Sequence, residues 1–266
     1  MKLGPFVLPY TALLFAIVTI LGLSIARYLD RRRPQQVEPA VTRILIVAVV
    51  AARLFFVLRY RTVYLNNPLS MLDIRDGGWD AQAGVIAAWG YALWLMHRGR
   101  AMRRPLLLSI GGASAAWIIG SVVLLAVTST QGALPVQTLQ DIAGRQVALA
   151  SFNGKPTVIN FWATWCPPCR KEMPAMALVQ QARPDVNLVF VNQGESVGEV
   201  NQFLAAGKLD LKNVLLDPSH AVARDFAVAG YPTSLFFDAS GKLVAQHTGP
   251  LSEASLTHQL EQAGAH

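Results

Sequence analysis

Thr157-Val158-Ile159-Asn160-Phe161-Trp162, then Ala163-Thr164-Trp165-Cys166-Pro167-Pro168-Cys169, then Arg170-Lys171-Glu172-Met173-Pro174: this stretch decides how the second half of the 266-residue chain folds. Its first six residues are a short apolar run with β-branched and aromatic side chains, the pattern of a buried strand. Helical periodicity takes over at 170–181. Between the two elements stand Cys166 and Cys169, the two cysteines of the chain.

Three chemistries compete for a Cys-x-x-Cys pair. A structural zinc ion needs four ligands; there is no second such pair, and His220, His247 and His258 are scattered without ligand spacing. A purely structural disulfide stabilises by closing a long loop, and a two-residue gap closes almost none. A redox dithiol suits the position, since the first turn of a helix presents unpaired N–H groups and the positive end of the dipole. A Cys166 thiolate is stabilised there, so its pKa should fall. Pro167 and Pro168 fit the first helical positions because they bring no N–H that the helix would need. Cys166 is expected to be the exposed nucleophile and Cys169, one turn in and more buried, the resolving thiol. No metal and no cofactor is expected.

Working outward, residues 135–266 alternate strand-like and helix-like patterns. Leu188-Val189-Phe190-Val191 and Ser234-Leu235-Phe236-Phe237 are further strand runs, and Lys242-Leu243-Val244-Ala245-Gln246 alternates. Asp238-Ala239-Ser240-Gly241 is a turn, so the last two strands should form an antiparallel hairpin. Helical spacing fits 197–206, 219–228 and 252–262. The result is an α/β domain with a mixed sheet flanked by helices.

The run from Phe161 to Pro174 closely resembles the TlpA/ResA/DsbE-like branch of the thioredoxin superfamily, reinforced by Gly230-Tyr231-Pro232-Thr233 before a strand. The resemblance spans nearly all of 135–266 and implies a thioredoxin-like fold. It implies that Pro232 is cis and faces the dithiol, leaving the Tyr231 backbone free to pair with an extended substrate segment. It implies that Glu172, one helical turn beyond Cys169, tunes thiol acidity and helps move protons. A negative charge there would raise a thiol's pKa, against the helix dipole. Asn160 departs from ordinary thioredoxin, which has a buried aspartate at that strand position, and Glu172 is therefore the expected proton handler. Trp162 is read as packing and Trp165 as a flap over the site. Lys155, Arg170 and Lys171 are read as solvated surface.

The first half has a different solvent. The chain is 53% hydrophobic and 15% charged, with mean hydropathy +0.36, against roughly 25% charged in soluble proteins. This excludes a disordered chain and argues against a cytosolic enzyme. Residues 1–134 hold 14 Lys/Arg and 5 Asp/Glu, residues 135–266 only 9 and 11. The positive charges sit between apolar runs rather than on one polar face, so a membrane and not nucleic acid is the expected partner. Apolar stretches at 5–26, 41–58, 81–96 and 106–128 suggest about four transmembrane helices, the third short for the roughly 20 residues a span needs. Arg27, Arg31, Arg32, Arg33 and Arg43 follow the first; Arg98, Arg100, Arg103 and Arg104 follow the third. Positive charge favours the cytoplasm, which places the N-terminus, the loop with Arg59, Arg61, Asp73, Arg75, Asp76 and Asp80, and everything after Thr128 outside. A cleaved signal peptide is disfavoured because the charge follows the first apolar run instead of preceding it. Arg53, inside the second stretch, is either functional or snorkels to the head groups.

Gly4-Pro5, Tyr10, the run Ala52-Arg53-Leu54-Phe55-Phe56-Val57-Leu58, Tyr64, Pro68 and Gly77-Gly78-Trp79-Asp80-Ala81-Gln82-Ala83-Gly84 resemble the N-terminal part of bacterial prolipoprotein diacylglyceryl transferase. That resemblance covers about the first 95 residues. The family carries a histidine where Gln82 stands, and its later arginine- and asparagine-bearing helices have no counterpart. Glutamine cannot do imidazole's proton transfer near neutral pH. This half therefore reads as an anchor, with a lipid- or partner-docking surface as the alternative, and acyl transfer is not expected.

The expected organisation is a transmembrane domain at 1–128, a linker at 129–136 and a thioredoxin-like domain at 137–266. The expected activity is that of a multi-pass, inner-membrane protein-disulfide reductase whose catalytic domain lies in the periplasm and reduces disulfides of exported proteins, in cytochrome c maturation or related redox maintenance. Its site residues would be Cys166, Cys169 and Glu172, with Trp165, Tyr231 and Pro232 contacting substrate. The membrane half has no cysteine, so a separate membrane electron donor of the DsbD/CcdA type would re-reduce the dithiol. Two alternatives stand: a periplasmic oxidase or isomerase, and a lipid- or lipoprotein-docking scaffold with a redox-sensing dithiol.

Overall fold

The computed structural model describes residues 2–3, 6–7, 10–32, 36–66, 68, 71, 76–127 and 132–264. Gly4-Pro5, Arg33, Asp73, Arg75 and residues 128–131 of the expected span end and linker lie outside the described residues.

Strands β1 (Lys2–Leu3) and β2 (Phe6–Val7) pair antiparallel ahead of the helices. The apolar stretches then become α1 (Tyr10–Arg32), α2 (Val37–Arg59), α4 (Ala81–Arg98) and α5 (Arg103–Val127), with the short α3 (Arg61–Asn66) between α2 and α4. Asp30 starts α2: its two carboxylate oxygens accept the amide hydrogens of Val37 and Glu38 at 2.9 and 2.8 Å, two of the donors a helix start leaves unpaired. Asp80 does the same for α4, accepting from Ala83 N at 2.8 Å. Gly84 then lets α4 approach α2, since a Cβ there would lie 3.1 Å from both the Ala48 carbonyl oxygen and the Ala52 methyl. Much of the diacylglyceryl-transferase-like stretch 77–84 thus has a local purpose, one cap and one close contact. Gln82 is exposed.

Among the described residues three segments are long and apolar enough to cross a membrane: Leu13–Arg31, Val37–Arg59 and Arg103–Leu124. The third expected span, α4, is not among them. Its 18 residues end in His97-Arg98, and at 1.5 Å per residue they reach about 27 Å against a hydrocarbon core of about 30 Å. The Arg53 guanidinium lies 5.7 Å from the centroid of the Trp79 ring, within cation–π range.

The chain forms two units, 1–61 with 79–129, and 62–78 with 130–266. In the second, Tyr64 donates to Asp76 at 2.8 Å. Its main body is a seven-stranded sheet of β3 (Thr138–Asp141), β4 (Gln146–Ala148), β5 (Thr157–Trp162), β6 (Asn187–Gln193), β7 (Val214–Asp217), β8 (Thr233–Phe237) and β9 (Leu243–Thr248). The order across it is β4-β3-β7-β6-β5-β8-β9. β5, β6 and β7 run parallel, while β3, β4, β8 and β9 add antiparallel pairs. The sheet is mixed, as the sequence pattern requires, and its last two strands are the expected hairpin.

Period-two alternation divides the core. Val158 and Trp162 of β5 join one face with Leu188, Phe190, Leu216 and Phe236, under α6 (Pro167–Ala182), α7 (Val197–Ala206) and α9 (Glu253–Gln262). Ile159 and Phe161 join the other with Val189, Val191, Leu215, Leu235 and Phe237, beside α8 (Ala221–Asp225). Asn160 therefore falls on the α6 face.

Several boundaries differ from the sequence reading. α6 begins at Pro167 rather than 170, since both prolines fit its first turn. α8 stops at Asp225, short of 228, and starts after His220, which sits at φ 56°. β3, β4 and β7 are additions to the strands expected. β3 and β4 are short and carry Gln and Asp, so no apolar run marks them. Their turn is held by Asp141, which accepts from Ala143 N and Arg145 N at 2.9 and 2.8 Å.

Candidate active site

Strand β5 ends at Trp162, and the chain crosses the C-terminal edge of the sheet to α6, whose N-cap is Cys166. Cys166 and Cys169 are joined in a disulfide. The amide of Cys169 donates to the Cys166 sulfur at 3.3 Å, so the sulfur occupies the place a capping oxygen takes in other helices. Pro167 and Pro168 offer it no N–H.

One expectation is corrected here. Cys166 is only 3% exposed, hardly more than Cys169 at 0%. In the disulfide its sulfur is turned inward against the first turn of α6, and both cysteines belong to the apolar cluster beneath that helix. The order of burial is as expected; the degree is not.

Glu172 is 2% exposed on the same helix, one turn past Cys169. Its Oε1 accepts from Asn160 Nδ2 at 2.8 Å and its Oε2 from Leu251 N at 2.9 Å. Burial away from water outweighs both hydrogen bonds and pushes the carboxyl up to about 8. Near neutral pH Glu172 is consequently mostly an uncharged acid, and its opposition to a neighbouring thiolate sets in only above that value. Asn160 also donates to Ser234 Oγ at 3.1 Å, tying β5, β8 and α6 together under the dithiol.

On the opposite side, the Tyr231–Pro232 peptide is cis. Tyr231 packs against the cluster that holds both cysteines, and its ring meets that of Trp165 edge-on at 6.2 Å. Trp165 is 64% exposed, an apolar plate beside the pair. Among the described residues the Tyr231 backbone amide and carbonyl have no backbone hydrogen-bond partner. Its hydroxyl is held by Gln193 Oε1 at 3.4 Å and His220 Nδ1 at 3.2 Å. Burial first, then the Asp217 charge, pushes its phenol above the usual value.

Trp162 is buried and packs on Phe203 at 5.4 Å. Arg170 lies over the Phe203 ring at 5.9 Å, and Lys155 reaches the Pro184 carbonyl at 3.2 Å. Among the described residues no three His, Cys, Asp or Glu side chains come together as a metal ion would need. The structure thus brings Cys166, Cys169, Glu172, Trp165, Tyr231 and Pro232 to one end of the sheet.

The pair of cysteines thus caps a helix beside a cis-proline loop. Residues 130–262 match the Redoxin family model, half of the chain. The chain belongs to the redoxin family. The thioredoxin-like protein YneN of Bacillus subtilis is 32% identical over 131 residues, covering 48% of this chain and 76% of its own. The thiol-disulfide oxidoreductase ResA of the same organism is 34% identical over 124 residues, covering 46% and 69%. A solved structure, StoA from Bacillus subtilis, is 27% identical, with a TM-score of 0.42 and coverage of 49% of this chain and 97% of its own. Residues 1–123 match the prolipoprotein diacylglyceryl transferase model. This redoxin is a thiol-disulfide oxidoreductase of the ResA/DsbE type, joined to a helical region similar to the transferase.

Two parts of the site carry no signal in the sequence. The Leu251 amide reaches Glu172 across 79 residues, and a backbone donor leaves no mark on residue type. Glu195, which accepts from Thr164 N at 2.7 Å, lies in a Gly-Glu-Ser turn that reads as an ordinary helix start.

Proposed function

We propose that this redoxin is a membrane-anchored reductase of disulfides in exported proteins, with a transmembrane domain at 1–128, a linker at 129–136 and the redox domain, 137–266, in the periplasm. Cys166 attacks the substrate disulfide and Cys169 resolves the mixed disulfide. Trp165, Tyr231 and the cis Pro232 hold an extended substrate segment whose backbone pairs with that of Tyr231.

The observation that carries the direction is the sparse support of the Cys166 sulfur. A dithiol is oxidising when its reduced form is strongly stabilised. Here the Cys169 amide, 3.3 Å away, is the donor at that sulfur, the two prolines contribute none, and among the described residues no cation hydrogen-bonds to it. Such a thiolate is modestly stabilised, and the disulfide is the preferred product.

Glu172 supplies the proton acceptor. With its carboxyl near 8 and an ordinary thiol at about 8.5, transfer of the Cys169 proton to the carboxylate is nearly balanced. The Cys169 thiolate then attacks the Cys166 sulfur of the mixed disulfide. A new Cys166–Cys169 bond forms, the bond to substrate breaks, and the substrate leaves as a thiolate. The two electrons gained by substrate come from the dithiol, which a membrane electron donor of the DsbD/CcdA type must restore. Among the described residues three spans are long and apolar enough to cross a membrane, which supports anchoring; keeping both arginine-rich connections in the cytoplasm and the redox domain outside makes the shorter α4 a fourth crossing. Apocytochrome c and other exported dithiol proteins are the substrate class.

The test is the reduction potential of the full chain in detergent, with partner trapping by Cys169→Ala. A potential near about −270 mV supports reduction; one near about −120 mV makes the chain an oxidase. Cys166→Ala should abolish insulin reduction and Cys169→Ala should accumulate mixed disulfides; full turnover by Cys166→Ala would end the proposal.

A further inference from the structure

Parallel pairing of β5 and β6 stops at the register pair Trp162 and Asn192. Beyond it the two chains part, one toward Cys166 and the other toward α7. The Glu195 side chain spans the gap. Glu195 accepts from the Thr164 amide at 2.7 Å, from the Thr164 hydroxyl, and from Asn192 Nδ2 at 2.6 Å. Three donors converge on one half-buried carboxylate. Thr164 stands two residues before Cys166, so its backbone is within about 7 Å of that residue.

We propose that Glu195 is a positioning residue for the dithiol: its carboxylate fastens the 163–165 loop to the end of β6 and so holds the Cys166 sulfur over the first turn of α6. The inference rests on Cys166 being the attacking sulfur, as proposed above. In the oxidised chain the disulfide helps fix that sulfur. In the reduced chain the bond is gone, and the loop's own tethers decide whether the sulfur keeps the Cys169 amide and the helix dipole that stabilise its thiolate. The neighbouring residue extends the same logic. Gln193 accepts from the Tyr231 hydroxyl at 3.4 Å, so the end of β6 is tied to both loops that enclose the dithiol. Glu195 does not touch the reacting sulfurs; it acts through Thr164.

The fully reduced chain in detergent is alkylated with iodoacetamide across the pH range, and the labelled cysteine is identified by peptide mass. Glu195→Gln keeps the shape but turns an amide N–H₂ toward donors, so the loop loses acceptors. Removing the Glu195 charge by itself would lower the Cys166 titration midpoint; loss of the tether outweighs it, so the midpoint rises by about half a pH unit and alkylation at pH 7 slows about threefold. Thr164→Val, which loses only the hydroxyl, moves the midpoint the same way by less. The double variant goes no further than Glu195→Gln, because both changes cut one connection. Glu199→Gln, four residues on and engaged in the Ser196 helix cap at 2.8 Å, leaves the midpoint where it was. A midpoint that stays or falls in Glu195→Gln, additive effects in the double variant, or an equal shift in Glu199→Gln overturns the role of Glu195 alone. Preferential labelling of Cys169 overturns the assignment of Cys166 and this inference with it.

Discussion

Asn160 donates to Glu172 at 2.8 Å, joining the middle of the central strand to the helix that carries the dithiol. Both side chains are buried, at 1% and 2% exposure, and the buried acid comes from the helix, with an amide at the strand position. An acid so placed is a stability liability once it must ionise.

That liability sets a pH dependence. The folded chain keeps the Glu172 proton up to about 8, whereas the ordinary value is 4.5. The contribution to stability is therefore whole below about 4.5 and is lost as pH rises through 8, at up to about 1.4 kcal/mol per pH unit. Glu172→Gln removes the titration. Asn160 Oδ1 has no partner among the described residues, so rotation of that amide lets it accept from the N–H₂ group that the substitution introduces. The variant should gain stability at pH 8 relative to the parent and lose the slope. Melts of the oxidised chain between pH 5 and 9 measure this; an unaltered slope would show that Glu172 is not the titrating group.

The same substitution should hurt catalysis. Without an acceptor for the Cys169 proton, resolution of the mixed disulfide slows by about 100-fold, the low end of general-base contributions. In the parent the rate should climb with pH through about 8. Single-turnover release of a fluorescent thiol from the mixed disulfide reports both. Equal rates for parent and Glu172→Gln at pH 8 would assign the proton to water.

Asp217 closes the β7–α8 turn. It accepts from Ala221 N at 2.8 Å and Val222 N at 3.0 Å while only 1% exposed. Asp217→Ala leaves these amides unpaired in a buried setting and should cost about 2–3 kcal/mol. Because His220 in that turn contacts Tyr231, substrate KM should rise more than kcat falls. Chemical denaturation and insulin-reduction kinetics test the two parts separately; a loss under about 0.5 kcal/mol, on the scale of an ordinary surface change, would deny the cap its weight.

Gly84 is a packing prediction in the helical region. A Cβ would meet the Ala48 carbonyl oxygen and the Ala52 methyl at 3.1 Å. Gly84→Leu should separate α2 from α4 at a cost of about 1–3 kcal/mol, with Gly84→Ala milder. Thermal scans in detergent should rank them in that order, while iodoacetamide reactivity of the reduced dithiol stays at the parent level. Identical melting of all three would mean the helices do not meet there.

The local events were legible. Apolar runs marked the four long helices and strands β5, β6 and β8, because strands buried on both faces and long apolar helices leave continuous apolar stretches, while β9 showed alternation. Cys166, the two prolines and Cys169 announced a helix start, because capping chemistry is confined to a few neighbouring positions. Tyr231-Pro232 was placed as cis through the family resemblance, and the peptide is cis. The short strands β3 and β4 left no such trace, being polar and held by turn hydrogen bonds instead.

What the sequence determined by itself was the pair of sulfurs at the mouth of a helix and the division into an apolar, basic half and a polar one, since both follow from residues adjacent in the chain. The tertiary structure alone decided the burial of Cys166, the proton affinity of Glu172 and the grip of Glu195 on Thr164. Each depends on groups 12 to 79 residues apart, and the water they exclude is removed only when the sheet and its helices close together.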